Sequence, residues 1–188
     1  MTELQALLRR LVHILDEVGV PFMIAGSFAS AAHGLPRTTQ DVDVVIDPAT
    51  AAALDALVAA LPPDEYYVDE AVAREALRRR SMFNVIDQAS GWKVDFIIRK
   101  DRAFSHDEFA RRQAISLLGV PVFVASPEDT IVAKLEWSLQ SGGSERQLRD
   151  VAGIVATLGE TLDRAYVERW VDTLGLEDEW RRAQQADL

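Results

Sequence analysis

Residues 41–47, with the sequence DVDVVID, constrain the fold of this chain more than any other segment. Valine and isoleucine favour β-strands, and side chains alternate between the two faces of a strand. Asp41 and Asp43 therefore share one face, and the valines that follow each of them share the other. Because carboxylates are costly to bury without partners, the segment predicts a strand with one face in the core. The other face is either exposed to solvent or part of a functional site.

A second apolar strand carries an acid at a position that favours an apolar residue. Residues 82–87 and 92–98, separated by the turn QASG, predict a β-hairpin with Asp95 in its second strand. If this strand pairs beside the Asp41 strand, three carboxylates converge, and each pair at about 5 Å repels by roughly 3 kcal/mol at an effective dielectric of about 20. Protons or a hard divalent cation such as Mg²⁺ or Mn²⁺ would relieve that repulsion. The alternatives are a solvated edge strand for Asp41 and Asp43, and a charge that prevents edge aggregation for Asp95.

The segment upstream of these acids has the features of an anion-binding turn. Residues 21–27, PFMIAGS, predict a buried strand that ends at Gly26 and Ser27, and a helix of small residues follows. Free backbone N–H groups and the helix dipole at such a turn suit phosphate. Metal-binding carboxylates next to a phosphate-binding turn indicate phosphoryl or nucleotidyl transfer.

These residues together resemble the signature of a known superfamily. The run MIAGSFASAAHGLPRTTQDVDVVID is similar to that of the DNA polymerase β type nucleotidyltransferases: a hydrophobic residue, Gly, Gly or Ser, a spacer, and Asp-x-Asp in a strand. Residues 28–40 fill the spacer. More narrowly, Arg37, Thr39, Asp41 and Asp43 resemble the Arg-x-Thr-x-Asp-x-Asp run of the AbiEii-like nucleotidyltransferases of type IV toxin–antitoxin systems.

The resemblance implies an enzyme that transfers an NMP from an NTP to a hydroxyl of a small molecule, a protein or a tRNA. It implies a catalytic, metal-binding set that would hold two Mg²⁺ ions, or Mn²⁺, consisting of Asp41, Asp43 and Asp95. It implies a nucleotide-binding set consisting of Gly26, Ser27, Arg37 and Lys134. It also implies a cognate antitoxin protein as a partner.

Two alternatives remain open at this stage. The same fold would serve as a catalytically inactive binding module, an antitoxin or a regulatory partner, in which the acids contribute only to a surface. Lys134, expected on the β- and γ-phosphates, is equally compatible with a surface lysine on an amphipathic helix.

The order of the predicted elements gives the fold class. Helices and strands mix through residues 1–125, and only helices follow in 126–188, where Ser126 and Pro127 open the first. We therefore expect an α+β (α/β) fold with a mixed sheet flanked by helices, in which 126–188 form a helical segment packed on the core of 1–125. Local patterns also predict a helix that Asp47 caps and Pro48 begins, and core positions for three tryptophans, namely Trp137, Trp170 and Trp180.

Composition narrows the classes of function. The 20 Lys and Arg against 30 Asp and Glu give a net charge of −10, which disfavours nucleic acid as a partner without excluding it. A set of basic residues forms either a local positive face or solvated helix ends and loops: Arg78, Arg79, Arg80, Arg99, Lys100, Arg102, Arg111 and Arg112. The absence of cysteine excludes disulfides, thiolate nucleophiles and Cys-ligated metals. No apolar run approaches the ~18 residues of a membrane span, so we expect a cytoplasmic protein without a membrane partner.

Overall fold

The computed structural model describes residues 2–36 and 38–186, and Arg37 lies outside these ranges. The helices are α1 (Glu3–Glu17), α2 (Gly26–His33), α3 (Ala51–Ala59), α4 (Glu70–Arg79), α5 (Ala103–Ala110), α6 (Pro127–Gln140), α7 (Glu145–Leu158), α8 (Arg164–Leu174) and α9 (Glu177–Gln184), with a short 3₁₀ helix at Gly159–Thr161. The strands are β1 (Phe22–Ile24), β2 (Asp41–Ile46), β3 (Tyr66–Val68), β4 (Met82–Asp87), β5 (Lys93–Ile98), β6 (Gln113–Leu117) and β7 (Val120–Val124).

These elements divide into two compact units. The first unit comprises Met1–Ala25 and Thr39–Val124, and the second comprises Gly26–Thr38 and Ala125–Leu188. All the strands belong to the first unit, whereas the second contains α2 and the helices from α6 onward. The expected fold class, a mixed sheet flanked by helices with a helical C-terminal part, is confirmed.

The described strands of the first unit form one seven-stranded mixed sheet in the order β3-β4-β5-β2-β1-β7-β6. The predicted hairpin is confirmed, because β4 and β5 pair antiparallel across the turn after Asp87. The second strand of this hairpin, β5, lies parallel to β2. The strand that carries Asp95 therefore lies directly beside the strand that carries Asp41 and Asp43.

The core of the first unit follows from the alternation of its strands. In β2 the side chains of Val42 and Val44 are buried, and Phe96 of β5 is wholly buried and stacks on Phe83 of β4 at 5.4 Å between ring centroids. Helix α1 adds one apolar stripe of leucines, and the Thr2 hydroxyl caps its first turn by accepting a hydrogen bond from the backbone N–H of Gln5. Val42 and Val44 thus point into the core, while Asp41 and Asp43 lie on the other face of β2.

The second unit is held by helix packing and a buried hydrogen-bond network. As predicted, Ser126 caps α6, and its hydroxyl oxygen accepts a hydrogen bond from the backbone N–H of Asp129 at 3.1 Å. The Asp129 carboxylate is fully buried and accepts hydrogen bonds from the hydroxyls of Ser126 and Tyr166, both at 2.5 Å. This network ties the first turn of α6 to α8.

Two local predictions are wrong. The helix predicted to begin at Pro48 begins at Ala51, because the Thr50 hydroxyl caps it by accepting a hydrogen bond from the N–H of Ala53 at 3.1 Å. Trp137 is 53% exposed, whereas the core positions of Trp170 and Trp180 are confirmed at 7% each. Among residues 2–36 and 38–186, no helix is both long and apolar enough to cross a membrane.

Candidate active site

The sheet brings the three predicted acids onto one face of two adjacent strands. Asp43 of β2 stands opposite Asp95 of β5 in the parallel register, and Asp41 stands opposite Lys93. Because residues two apart in a strand point the same way, Lys93 shares this face with the acids. Neighbouring strands lie about 4.8 Å apart, so the four side chains form one charged cluster, which we call the acid face: Asp41, Asp43, Lys93 and Asp95.

The ammonium group of Lys93 bridges two of the carboxylates. Its Nζ lies 3.0 Å from Oδ2 of Asp95 and 3.5 Å from Oδ1 of Asp41. The hydrogen bond to Asp95 is the main cause that raises the pKa of Lys93 above its ordinary value of 10.5, and the negative charges of Asp95 and Asp41 add to it. Lys93 is therefore charged at neutral pH and offsets part of the repulsion among the acids.

Burial differs sharply between the acids. The Asp95 side chain is 8% exposed, whereas that of Asp41 is 50% exposed. The Oδ1 atom of Asp95 is buried and has no hydrogen-bond partner among the described residues. A buried carboxylate oxygen without a partner costs about 1 to 3 kcal/mol or more, so this atom marks a position where a proton donor or a cation would be favourable.

Backbone bonds fix the chain around Asp43. The N–H of Ala25 donates to the backbone oxygen of Asp43 at 2.9 Å, which extends the β1–β2 pairing to the end of β1. Gly26 follows in the sequence with a φ of +56°, a left-handed conformation that favours glycine. Helix α2 begins at this residue. The predicted junction of a strand with a helix at Gly26 and Ser27 is thus confirmed, although β1 ends at Ile24, and its phosphate-binding role stays a prediction.

Lys134 lies in the second unit and is buried there. Its Nζ donates to Oδ2 of Asp150 at 2.7 Å and to Oε1 of Gln147 at 2.8 Å. The side chains of Lys134 and Asp150 are 6% and 8% exposed, so the surface-lysine alternative is wrong. The predicted contact of Lys134 with phosphates stays a prediction, and the predicted role of Arg37 concerns a residue outside those that the model describes.

A divalent metal centre at the acid face would need several of its carboxylate oxygens to converge on one point. Carboxylate oxygens are the ligands that Mg²⁺ and Mn²⁺ prefer, and the unpartnered Oδ1 of Asp95 would accept a cation. Within residues 2–36 and 38–186, however, no group of three or more His, Asp or Glu side chains is arranged to hold a metal ion. Lys93 already occupies one oxygen of Asp41 and one of Asp95. The acid face therefore does not fit a metal ion as it stands.

Known structures share the architecture of this chain. The model matches ANT(2'')-Ia, solved in complex with adenylyl-2''-tobramycin, with a TM-score of 0.60 and 16% identity over 92% of this chain and 99% of that one. It matches a nucleotidyltransferase-like protein from Paracoccidioides brasiliensis with a TM-score of 0.58 and 16% identity, over 99% of this chain and 94% of that one. The chain has a nucleotidyltransferase fold.

A third structure with this fold is the lincosamide antibiotic adenylyltransferase LnuA bound to lincomycin. Its TM-score is 0.54 at 11% identity, over 82% of this chain and 96% of that one. No family model matches the sequence, and no curated protein matches it. The nucleotidyltransferase fold is thus established by structure, at identities too low to carry an activity over.

Sequence reasoning missed Lys93, although a signal for it was present. Lys93 precedes Asp95 by two residues in the same predicted strand, so the strand period alone places its ammonium on the side of that carboxylate. The register with Asp41 could not be read from the sequence, because it depends on the parallel pairing of β2 with β5, which are far apart along the chain.

Proposed function

We propose that this protein is a nucleotidyltransferase that transfers an NMP from an NTP to a hydroxyl group of a small molecule. The observation that carries the proposal is the placement of Asp41, Asp43 and Asp95 on one face of the paired strands β2 and β5, within a nucleotidyltransferase fold. Two structures of similar fold are described with an adenylylated antibiotic and as an antibiotic adenylyltransferase, which supports a small-molecule acceptor.

The net charge of the chain supports the same class of acceptor. At −10 the protein repels a phosphate backbone on average, which weighs against tRNA or another nucleic acid. A small polyol, or one that carries amino groups, meets no such repulsion. A protein hydroxyl is the remaining acceptor class, and the label-transfer screen tests it with cell protein.

In the proposed reaction the acceptor oxygen attacks the α-phosphorus of the NTP and pyrophosphate leaves in line. The hydroxyl proton goes to Asp95, the proposed general base, because its Oδ1 has no hydrogen-bond partner in the described structure while Oδ2 is held by Lys93. Gly26 and Ser27, which open α2 directly after the residue bonded to Asp43, are the proposed triphosphate-binding turn.

Proteins that transfer nucleotides commonly use Mg²⁺ to neutralise the phosphates and orient the attack. We include Mg²⁺, or Mn²⁺, in the proposal as the cofactor that the sequence resemblance implies. The steps of the proposed reaction are assigned to the side chains of this protein, because the acid face does not fit a metal ion. An AbiEii-like toxin with a cognate antitoxin is a narrower version of the same proposal, supported only by the motif that ends in Asp41 and Asp43.

Label transfer tests the proposal. Purified protein is incubated with MgCl₂ and each of the four NTPs, labelled at either the α- or the γ-phosphorus, together with pools of small polyols and amino sugars, cell protein or tRNA. Nucleotidyl transfer places the α-label on the acceptor and the γ-label in pyrophosphate. Transfer of the γ-label to the acceptor would indicate a kinase, and transfer of neither label to any pool would refute the proposal.

One observation favours a second candidate, a binding module without catalysis. Lys93 already neutralises Asp41 and Asp95, which suits acids that no longer hold a metal ion. Thermal unfolding with NTP and Mg²⁺ separates the two. When the NTP concentration is about 100 times the Kd, an enzyme that binds NTP is stabilised by roughly 2.7 kcal/mol, and its Tm rises. An inactive module that has lost its nucleotide site shows no change in Tm.

A further inference from the structure

The acid face continues into an apolar surface on the two strands beside it. Ile86 of β4 stands opposite Lys93 of β5, and Tyr67 of β3 stands opposite Ile86. Because directly opposite residues of paired strands project from the same side of a sheet, Tyr67 and Ile86 lie on the side that carries the acids. With Lys93 and Asp41 they form a row that crosses four adjacent strands, from an aromatic ring to a carboxylate.

The apolar end of this row is open to solvent. Tyr67 is 60% exposed and Ile86 is 39% exposed, whereas the alternate residues of β4 are buried in the core. Single exposed apolar residues are common, but apolar side chains that adjoin each other next to a charged cluster are typical of ligand-binding surfaces. We call Tyr67 and Ile86 the apolar patch.

A polar row lies two residues further along the same strands. Asn84 of β4 is exposed and stands opposite Asp95 of β5. Its side-chain amide both donates and accepts hydrogen bonds, as recognition of a hydroxyl group requires. The Asp95 side chain is more than nine-tenths buried, and its Oδ1 has no hydrogen-bond partner among the described residues. A ligand hydroxyl that donates to this oxygen would supply the missing partner.

The dimensions of this surface favour a small molecule over a macromolecule. Neighbouring strands lie about 4.8 Å apart and same-side residues of one strand about 6.7 Å apart, so the two rows cover roughly 14 by 7 Å, or about 100 Å². A stable protein–protein interface takes about 800 Å² from each partner. The surface therefore has the size of one small molecule with a ring and a short chain.

The charge of the acid face selects the sign of that molecule. Its three carboxylates against one ammonium leave it net negative. The Asp41 side chain is half exposed, at the end of the row opposite to Tyr67. A ligand ammonium would be attracted to this end, and a ligand carboxylate would be repelled. The row thus changes from apolar to anionic, which complements an amine that carries an apolar ring.

We propose that the apolar patch and Asn84 form the acceptor subsite, and that the acceptor is a small amphiphilic amine. Its ring packs on Tyr67 and Ile86, and its ammonium faces Asp41. Asn84 holds its hydroxyl next to Asp95. The inference rests on the proposed function for the role of this ligand as the acceptor. The observations that carry it are the register of the four strands and the unpartnered Oδ1 of Asp95.

The test measures binding of 4-phenylbutylamine without nucleotide or metal ion, from chemical-shift changes in ¹H–¹⁵N spectra of the labelled protein. Three matched probes separate the features of this molecule. Butylamine lacks the ring, 4-phenylbutanol replaces the ammonium with a neutral hydroxyl, and 4-phenylbutyrate reverses the charge.

We expect the Kd of 4-phenylbutylamine to be at least about fivefold lower than that of butylamine, because a ring that packs on an aromatic side chain adds affinity. It should be at least about threefold lower than the Kd values of 4-phenylbutanol and 4-phenylbutyrate. The largest shifts should fall on amides of β3, β4 and β5. No saturable binding, a Kd equal to that of butylamine, or a Kd no lower than that of 4-phenylbutyrate would overturn the proposal.

Variants of Tyr67 test the apolar patch. Tyr67→Ser removes the ring at an exposed position of an edge strand, and Tyr67→Phe keeps it. The matched control is Leu118→Ser, which removes an exposed apolar side chain next to β6, at the opposite edge of the sheet.

We expect Y67S to raise the Kd of 4-phenylbutylamine at least about fivefold and to leave that of butylamine unchanged. Y67F and L118S should stay within about twofold of the wild-type value. An unchanged Kd in Y67S, or an equal rise in L118S, would overturn the proposal. Circular dichroism and Tm are recorded for each variant, and if Y67S does not fold, Ile86→Ser carries the same measurements.

Asp41→Asn tests the placement of the ammonium. It should raise the Kd of 4-phenylbutylamine at least about threefold and leave that of 4-phenylbutanol unchanged, because only the first probe is charged. Equal changes in the Kd values of the two probes would contradict this placement.

The result is separable from that of the label-transfer assay. Selective binding of 4-phenylbutylamine through Tyr67 by a protein that transfers no label would sustain the ligand site and refute the proposed function. Label transfer by a protein that does not discriminate among the four probes would sustain the function and refute the inference.

Discussion

The buried ion pair of Lys134 and Asp150 provides a quantitative test of what holds the second unit together. Lys134 on α6 and Asp150 on α7 meet at 2.7 Å with side chains that are less than a tenth exposed. The perturbation is a double-mutant cycle with Lys134→Met, Asp150→Ala and the combined variant. It measures the interaction between the two groups rather than the cost of truncating either one.

The magnitude follows from the distance and the burial. At 2.7 Å and an effective dielectric of about 20, the Coulomb attraction is roughly 6 kcal/mol, most of which is offset by the cost of desolvating both charges. Removal of one partner leaves the other charge buried, and this typically lowers the unfolding free energy by about 3 to 5 kcal/mol. The Gln147 side chain keeps one hydrogen bond to Lys134 in D150A, so we place this variant at the lower end, about 3 kcal/mol.

The assay is urea unfolding monitored by tryptophan fluorescence and far-UV circular dichroism. The second unit contains Trp137, Trp170 and Trp180, so three of the four tryptophans report on the unit that holds the ion pair. We expect the unfolding free energy of the double variant to fall by about 2 to 3 kcal/mol less than the sum of the decreases in the two single variants. The reason is that neither charge of the pair then stays buried without the other. A double variant whose loss equals that sum would refute the electrostatic explanation.

Three further predictions concern packing and burial. Gly34→Ala should lower the unfolding free energy by about 1 to 3 kcal/mol, because its Cβ would lie 2.9 Å from the backbone nitrogen of Ile154 in α7. Gly153→Ala should be nearly neutral in the same urea assay, because its Cβ would meet Leu35 only at ordinary contact distances of 3.4 and 3.5 Å. Trp170→Ala should cost about 3 to 5 kcal/mol, and Trp137→Ala less than about 0.5 kcal/mol, because only the first is buried. Burial raises the pKa of Tyr66 above its ordinary value of 10.0, so its contribution to stability is full below pH 10.0 and declines as the pH rises through the raised pKa. Between about pH 9 and pH 11, the unfolding free energy of Tyr66→Phe should therefore fall by less than that of the wild type. An identical decrease in both proteins would contradict the raised pKa of Tyr66.

The features that the sequence predicts correctly are those set by local periodicity. The alternation in residues 41–46 places Val42 in the core and Asp41 outside it, and the turn between β4 and β5 predicts their hairpin. The cap of α6 at Ser126 is also local, since it needs only a hydroxyl three residues before an N–H. Each of these depends on residues within one turn or one strand.

The features that it misses depend on contacts between distant parts of the chain. Helix α2 forms a compact unit with the C-terminal helices, and Gly34, the residue after α2, lies close to α7. The helical spacing of Trp137 predicts a core position, yet its side chain on α6 is exposed. Burial depends on which elements pack against a helix face, and the periodicity of the helix alone does not determine it. Strand β3 has only three residues, Tyr66–Val68, and lies at the sheet edge, so its pattern is too short to recognise.

For the candidate site, the sequence supplies the acids and the structure supplies their arrangement. The convergence of Asp43 and Asp95 was expected only if their strands pair, and the register confirms that pairing. The cation between the acids was not expected. Lys93 changes the chemistry from three uncompensated carboxylates to a partly neutralised cluster.

We propose that the acid face performs nucleotidyl transfer, and one comparison of two proteins tests this most directly. The α-label transfer rate of the wild type is measured beside that of the double variant Asp41→Asn and Asp43→Asn, with circular dichroism and Tm recorded for both proteins. We predict that the double variant folds, because both acids lie on the partly exposed face of β2, and that label transfer is abolished. A folded double variant that transfers label at the wild-type rate would contradict the claim.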